Sequence, residues 1–125
     1  MDCYTIVLPL PPKPCWQNVR CHWSVKREAV KSHRGTAKLL TLAALARKQP
    51  LWESAVIDFA FYWPTKARRD PLNALGAMKA AIDGLVDAKL LVDDDKVTPG
   101  MTRMLVDKAR PRVELTVRRG QENAA

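Results

Sequence analysis

The sequence predicts an α/β (α+β) fold, a single small domain with a mixed β-sheet and two main helices. The chain has 125 residues, which suits one domain. Segments with strand character and segments with helical spacing follow one another in the order strand, helix, strand, helix, strand, strand. No repeat or low-complexity tract marks a second unit. We therefore expect residues 1–119 to form the domain and residues 120–125 to be a frayed tail.

The first element is expected to be a strand from Tyr4 to Leu10, because this segment is rich in β-branched and apolar residues. Prolines at positions 9, 11, 12 and 14 end it and make the next segment an extended loop. The loop mixes aromatic and polar side chains, namely Trp16, Asn18, Arg20, His22 and Trp23. Such a mixture is typical of nucleic-acid contacts, and packing of at least one tryptophan on the core is the alternative.

A long helix is predicted from an N-cap at Ser24 to about Lys48, with Pro50 as its stop. Its second half is mostly apolar, so we expect that half to be the better buried. Its first half carries five basic residues, which form either a solvated face or part of a general basic field. Gly35 is expected to weaken or split the helix.

A second strand is predicted from Val56 to Trp63, where apolar residues alternate imperfectly, and Pro64 ends it. This strand leads directly into a charged loop that contains Lys66, Arg68 and Arg69.

A second helix is then predicted from about Pro71 or Ala74 to Ala88, because apolar residues recur there at spacings of three and four. Two more strands are expected near residues 102–107 and 112–118, which completes the sheet.

The charge of the chain is its unusual property, with 21 Lys and Arg against 13 Asp and Glu and a net charge of +8. A basic protein favours nucleic acid or an anionic surface as its partner. The hydrophobic content of 47% and charged content of 27% exclude a disordered chain. The longest apolar run, residues 39–46, is too short to cross a bilayer, and no signal peptide is visible. We expect a cytoplasmic protein with no membrane partner.

Three cysteines, Cys3, Cys15 and Cys21, have spacings that match no Cys-x-x-Cys pair. We interpret them as reduced thiols. A zinc site with His22 is the alternative, but it lacks a fourth ligand at suitable spacing.

Asp70 stands directly after a predicted strand and before a predicted helix. Followed by Pro71, it is a good N-cap, and a carboxylate at a sheet edge also suits a metal site. Lys79 lies at the edge of the buried stripe of the helix, where it can pair with Asp83 or reach a phosphate.

Asp93, Asp94 and Asp95 are three adjacent carboxylates that repel one another unless a cation or several donors compensate. A solvated turn is the alternative. Hard oxygen ligands suit Mg²⁺ or Mn²⁺, and in a basic chain such an ion would act on a polyanion. Phosphodiester hydrolysis is therefore the leading chemistry.

The ordered combination of these residues resembles the RusA family of Holliday junction resolvases, in particular its phage-type members. The resemblance covers most of the chain. It rests on the strand with its prolines, on the loop with Asn18, Arg20, His22 and Trp23, and on the run Arg69, Asp70, Pro71, Leu72, Asn73. Lys79, Asp83 and the aspartate triplet complete it.

The resemblance implies a homodimeric, magnesium-dependent endodeoxyribonuclease that nicks four-way DNA junctions in a bacterial or phage-infected cell. By this resemblance, Asp70, Lys79 and Asp94 are catalytic and Asp70, Asp93 and Asp94 hold the metal. The residues expected at the DNA are Arg20, Lys66, Arg68, Arg69 and Asn73.

Leu72 departs from the family pattern, which has a second aspartate at this position. Asp93 or Asp95 compensates, or metal affinity falls, or the chain binds junctions without cutting them. A basic protein-interaction domain with no nucleic-acid partner is the third alternative.

Overall fold

The structure is a computed structural model that describes residues 2–16 and 19–120. It contains four strands, β1 (Cys3–Leu8), β2 (Ala55–Trp63), β3 (Val97–Val106) and β4 (Arg112–Arg119). The three α-helices are α1 (Trp23–Leu45), α2 (Pro71–Gly76) and α3 (Lys79–Asp87), and a 3₁₀ turn spans Lys13–Cys15. The predicted α+β fold with a mixed sheet is confirmed. Asn18 and residues 121–125, which belong to the expected loop and tail, lie outside the described residues.

The four strands form one sheet in the order β1-β4-β2-β3. Strand β4 runs antiparallel to both of its neighbours, whereas β2 and β3 are parallel. Parallel strands need a crossover, and here the segment with α2 and α3 supplies it. The crossover leaves the sheet at the carboxyl end of β2, which places Asp70 seven residues after Trp63.

Alternation along the strands divides the sheet into an inward and an outward face. On β2 every second residue from Ala55 to Trp63 is buried, and the residues between them are half-buried. Three aromatic rings follow one another on the inward face: Phe59 and Phe61 have centroids 6.2 Å apart, and Phe61 and Trp63 have centroids 5.3 Å apart. The helices cover this face, so the core lies between them and the sheet.

Helix α1 has three of its four buried residues in its second half, the half that the sequence predicts to be the better buried, but most of the leucines there are not among them. Its buried residues follow a single row at spacings of four, His33, Ala37, Thr41 and Leu45. Leu39 is 68% exposed, and Leu40 and Leu42 are also exposed. The helix packs on its neighbours through this narrow row, and composition alone does not show which row faces the core.

Gly84 of α3 explains why a narrow stripe is enough. A Cβ added at this glycine would stand 2.6 Å from the carbonyl oxygen of Arg34 and 2.7 Å from Cβ of Ala37. The absence of a side chain therefore lets α3 approach the backbone of α1 closely. Gly35, on the contrary, has open space around it and lies within a continuous helix, so the expected split does not occur.

The ends of α1 differ slightly from the prediction. The N-cap is His22, not Ser24: Nδ1 of His22 accepts a hydrogen bond from the Ser24 amide at 3.2 Å. The helix ends at Leu45 because Ala46 and Arg47 adopt φ values of 49° and 72°. These left-handed residues end the helix before Lys48.

The second predicted helix is two helices. Helix α2 ends at Gly76, and α3 begins at Lys79 after Ala77 and Met78. Met78 adopts φ −88° and ψ 0°, which interrupts the helical path. Both Ala77 and Met78 are buried, so the apolar spacing continues across the break and conceals it in the sequence.

Strand β3 is longer than predicted and begins at Val97, although Pro99 and Gly100 suggest a break. It lies at the edge of the sheet, where a proline is tolerated. The pairing shifts between Ile57 and Phe59 of β2, so the β3 strand carries a bulge there. Asp58 holds it, because its Oδ1 accepts a hydrogen bond from the Met101 amide at 2.8 Å, and a Cβ at position 100 would collide with this carboxylate.

Candidate active site

Asp70 caps α2, as the sequence predicts. Its Oδ1 accepts a hydrogen bond from the Leu72 amide at 2.9 Å, and Pro71 occupies the first helical position. Among the described residues, no side chain or amide donates to Oδ2. Asp70 is exposed, so one carboxylate oxygen serves the fold and the other faces solvent.

Leu72 follows Asp70 on the same helix and is 76% exposed. A leucine in the core needs no further explanation, but this one contributes little to packing. Its side chain offers no oxygen to a cation. The surface beside Asp70 is therefore apolar at the position where the RusA pattern has a second carboxylate.

Lys79, Asp83 and Asp94 form an ion cluster that joins α3 to the turn before β3. The Lys79 ammonium donates to Asp83 Oδ1 at 3.0 Å, which confirms the predicted pair, and it also forms an ion pair with Asp94 Oδ2. Lys79 is exposed, whereas both carboxylates are half-buried. The contact between Lys79 and Asp94 crosses 15 residues and could not be read from sequence spacing.

The aspartate triplet lies in a turn, not in an extended segment. The side chain of Asp93 accepts a hydrogen bond from the Asp94 amide at 2.7 Å, and the Asp94 carbonyl accepts one from Val97 at 3.2 Å. The Asp94 amide thus serves the Asp93 carboxylate, and the Lys79 ammonium serves that of Asp94. Asp93 and Asp95 are exposed, so only Asp94 is turned toward α3.

The metal ligands that the RusA resemblance implies are not assembled into one group. Within residues 2–16 and 19–120, no set of three or more His, Cys, Asp or Glu side chains is arranged to hold a metal ion. Asp83 and Asp94 do converge on one positive charge, the Lys79 ammonium. Mg²⁺ keeps several waters and needs only one or two protein carboxylates beside a substrate phosphate. A site with one or two of the predicted carboxylates, and not all three, therefore fits this ion.

Arg69 has a role in the loop that precedes Asp70. Its guanidinium donates to the carbonyl oxygens of Thr65 and Ala67 at 3.0 Å and 2.9 Å, and to Oγ1 of Thr65 at 3.1 Å. It also lies over the Trp63 ring, 4.6 Å from the centroid. Arg69 therefore shapes the loop, and most of its donors are already used.

The other predicted DNA contacts are better placed for an external anion. Lys66 and Arg68 are exposed in the same loop and form no ion pair with any described residue. Arg20 is exposed before α1, and Asn73 is half-buried on α2. Lys66 and Arg68 lie two to four residues before Asp70, so they extend a basic surface to the edge of the site.

An ion pair between α1 and α3 lies near the cluster, and no sequence pattern predicted it. Arg34 of α1 binds both oxygens of Asp87 of α3, at 2.6 Å and 2.8 Å. This bidentate contact lowers the pKa of Asp87 and raises that of Arg34. The only signal was the complementary charge of two residues 53 positions apart, which no helical or strand spacing connects.

The described residues give no support to the alternative zinc site. Cys15 is buried, and burial raises the pKa of its thiol. Cys3 and Cys21 are exposed, and no metal-binding group includes them. Trp16 is half-buried and packs on Trp63 at a centroid distance of 5.7 Å, which confirms the expectation that at least one loop tryptophan packs on the core.

The fold and site together define a small α+β protein with half-buried carboxylates at one side of α3 and a basic loop before α2. No known protein-family profile matches the chain. It is 35% identical over 92 residues to an uncharacterized protein of Xylella fastidiosa, strain Temecula1. The match covers 72% of this chain and 60% of that protein, so the chain spans less than two thirds of the length of this relative. None of the described helices is long and apolar enough to cross a membrane.

Proposed function

We propose that the protein is a structure-selective endodeoxyribonuclease of the RusA type, which acts on four-way DNA junctions as a homodimer in the cytoplasm. The observation that carries the proposal is the convergence of Asp94, Lys79 and Asp83 on one side of α3. These residues occur in the order and spacing of the RusA pattern. A basic loop next to Asp70 supplies charge for the DNA backbone.

The chain's own residues support two steps. Lys66 and Arg68 bind backbone phosphates and bring the strand to the site. Lys79 then donates to a nonbridging oxygen of the scissile phosphate, while Asp83 and Asp94 keep its ammonium oriented. One or two of the predicted carboxylates Asp70, Asp93 and Asp94 would hold Mg²⁺, or Mn²⁺ in its place, together with the substrate phosphate, and the ion would supply an activated water and charge stabilisation at the phosphate.

The test is cleavage of a synthetic four-way junction in Mg²⁺ by the unchanged chain and by single variants. Asp70→Asn and Asp94→Asn should each lower the cleavage rate by at least about a hundredfold, since each removes a carboxylate that would hold Mg²⁺. Glu53→Gln is the matched control, because Glu53 is an exposed carboxylate outside the site, and this variant should cleave normally. Absence of cleavage by both the unchanged chain and Leu72→Asp would refute the nuclease.

A second function, junction binding without cleavage, is favoured by one observation. Leu72 is exposed where a second carboxylate is expected, and the described residues form no group of three metal ligands. This alternative predicts binding of the junction in EDTA and no nicking at any Mg²⁺ concentration. Restoration of nicking by Leu72→Asp would identify the missing carboxylate as the cause.

Salt dependence distinguishes both functions from a protein-interaction domain. A protein that contacts several phosphates loses affinity steeply as salt rises, because condensed counterions are released on binding. We expect the apparent dissociation constant for the junction, measured by fluorescence anisotropy in EDTA, to rise by at least about tenfold from 50 to 200 mM salt. No junction binding at 50 mM salt would leave the protein-interaction domain as the remaining interpretation.

A further inference from the structure

A pocket of about 460 Å³ lies between the carboxyl end of β2 and the proline-rich segment after β1. Its volume falls in the range of small-molecule sites. Most of its lining is aromatic or aliphatic, and two cations border it. The residues that line it are Leu10, Pro11, Lys13, Trp16, Val19, Trp63, Pro64 and Arg69.

Two tryptophans form an aromatic wall of this pocket. The rings of Trp16 and Trp63 have centroids 5.7 Å apart and planes inclined by 47°. Trp16 is held in place because its Nε1 donates to the carbonyl oxygen of Pro11 at 3.2 Å. Trp63 is held by the stacked Phe61 on one side and by the Arg69 guanidinium on its ring. The wall therefore exists before any ligand arrives.

Trp63 also retains an unused hydrogen-bond donor. It is only 6% exposed, and its Nε1 has no acceptor among the described residues. A buried N–H without a partner is costly, and most native structures avoid it. This nitrogen is itself buried, so the unused donor is a local cost of the aromatic wall and does not reach a ligand in the pocket.

The charge around the pocket indicates an anionic ligand. Lys13 is exposed at the pocket and forms no ion pair with any described residue. Arg69 lies over the aromatic wall, and Lys66 and Arg68 precede it in the same loop. A nucleotide combines a flat heteroaromatic base with a phosphate. The aromatic wall suits the base, and the cations suit the phosphate.

We propose that this pocket receives one unpaired nucleobase from branched DNA, stacked on the half-buried Trp16 ring, with a flanking phosphate at Lys13. The proposal rests on the proposed function, because Arg69 links the pocket directly to Asp70 in the chain. An unpaired base is less costly to unstack than a paired one. Base stacking on an aromatic ring tolerates any sequence, so the pocket recognises the branched shape of the DNA and not its sequence.

The test uses two synthetic four-way junctions with one extra nucleotide at the branch point. In one junction this nucleotide carries thymine, and in the other it is abasic. Affinity is measured by fluorescence anisotropy in EDTA, so cleavage plays no part. The unchanged chain should bind the thymine junction about tenfold more tightly than the abasic one, since stacking of one base on an aromatic side chain has this magnitude.

Two variants locate the effect. Trp16→Leu should bind both junctions equally, because the half-buried ring that it removes belongs to the pocket. Lys48→Gln removes an exposed cation that lines a different pocket, beside Tyr4 and Trp52, and it should keep the tenfold preference.

Equal affinity of the unchanged chain for both junctions would overturn the base pocket and leave the proposed function intact. A preference that persists in Trp16→Leu would likewise overturn it. Failure of the unchanged chain to bind either junction would refute the proposed function itself, and the pocket proposal with it.

Discussion

At the scale of single residues, the candidate site uses the same side chains for folding and for charge. Asp70 is the N-cap of α2 because its side chain accepts a hydrogen bond from the Leu72 amide, while its second oxygen faces solvent. Its position between a strand and Pro71 was sufficient to predict the cap.

The pairing of Lys79 with Asp83 was also predictable, because four residues along a helix bring two side chains together. The contact of Lys79 with Asp94 depends on tertiary structure, and no local pattern contains it.

The double use of Asp70 predicts that its two roles can be separated. Asparagine caps a helix as well as aspartate does, so Asp70→Asn should change the free energy of unfolding by only a few tenths of a kcal/mol. Asp70→Ala should lose about 1 kcal/mol, because the Leu72 amide loses its acceptor. Urea unfolding without DNA measures both. Equal losses in the two variants would contradict the capping role.

At the scale of the elements, the sequence predicts which segments are helices and strands better than it predicts what they bury. Alternation gave β2 almost to the residue, because its inward face is continuous. Helix α1 was predicted in extent but not in orientation, since three of its four leucines are exposed and its buried stripe contains histidine, alanine and threonine before Leu45. The close contact with α3 decides which side of α1 is buried, and that contact depends on Gly84, 47 positions after Ala37.

The contact between α1 and α3 can be tested with one glycine inside it, Gly84, and one outside it, Gly35. Gly84→Ala should lower the free energy of unfolding by about 1–3 kcal/mol, because the added methyl group meets the backbone of Arg34 and forces the helices apart. Gly35→Ala is the matched control: the same change in an open helical position should raise stability by about 0.5–1 kcal/mol. Chemical denaturation with both variants measures the two effects. A destabilising Gly35→Ala would contradict the open space around Gly35 and the comparison based on it.

At the scale of the whole molecule, ion pairs consume several of the 13 acidic residues and leave the basic ones in excess where the DNA is expected. Arg34 binds Asp87, Arg112 binds Asp107 and Glu114, and Arg118 binds Asp58. These pairs lie on helices and on the sheet. The loop before Asp70 keeps Lys66 and Arg68 without an ion pair among the described residues. Part of the net charge of +8 therefore lies in the loop before Asp70.

The pH dependence of stability should report on a buried histidine. Burial lowers the pKa of His33 below its usual value of 6.5, and its Nε2 has no partner among the described residues. Above pH 6.5 the folded and unfolded chains both carry this ring neutral, so it has no effect. Below pH 6.5 the unfolded chain binds a proton that the folded chain refuses, so stability falls, by at most about 1.4 kcal/mol per pH unit.

Thermal melting between pH 7.5 and 5 measures this loss, and His33→Leu is the comparison because it removes the titrating ring while keeping the site apolar. The variant should lose less stability over this range than the unchanged chain. Parallel pH profiles would show that other groups cause the loss.

The bulge in β3 has a consequence for how the protein behaves in a crowded solution. An edge strand offers its free amides and carbonyls to any extended chain, and ten residues would be a long template for aggregation. Here Pro99 has no amide hydrogen, and the bulge at Gly100, held by Asp58, bends the strand. Only residues 102–106 remain as a regular edge, too short to seed a stable extended sheet. The glycine and aspartate that fix this irregularity thus help to keep the protein dispersed.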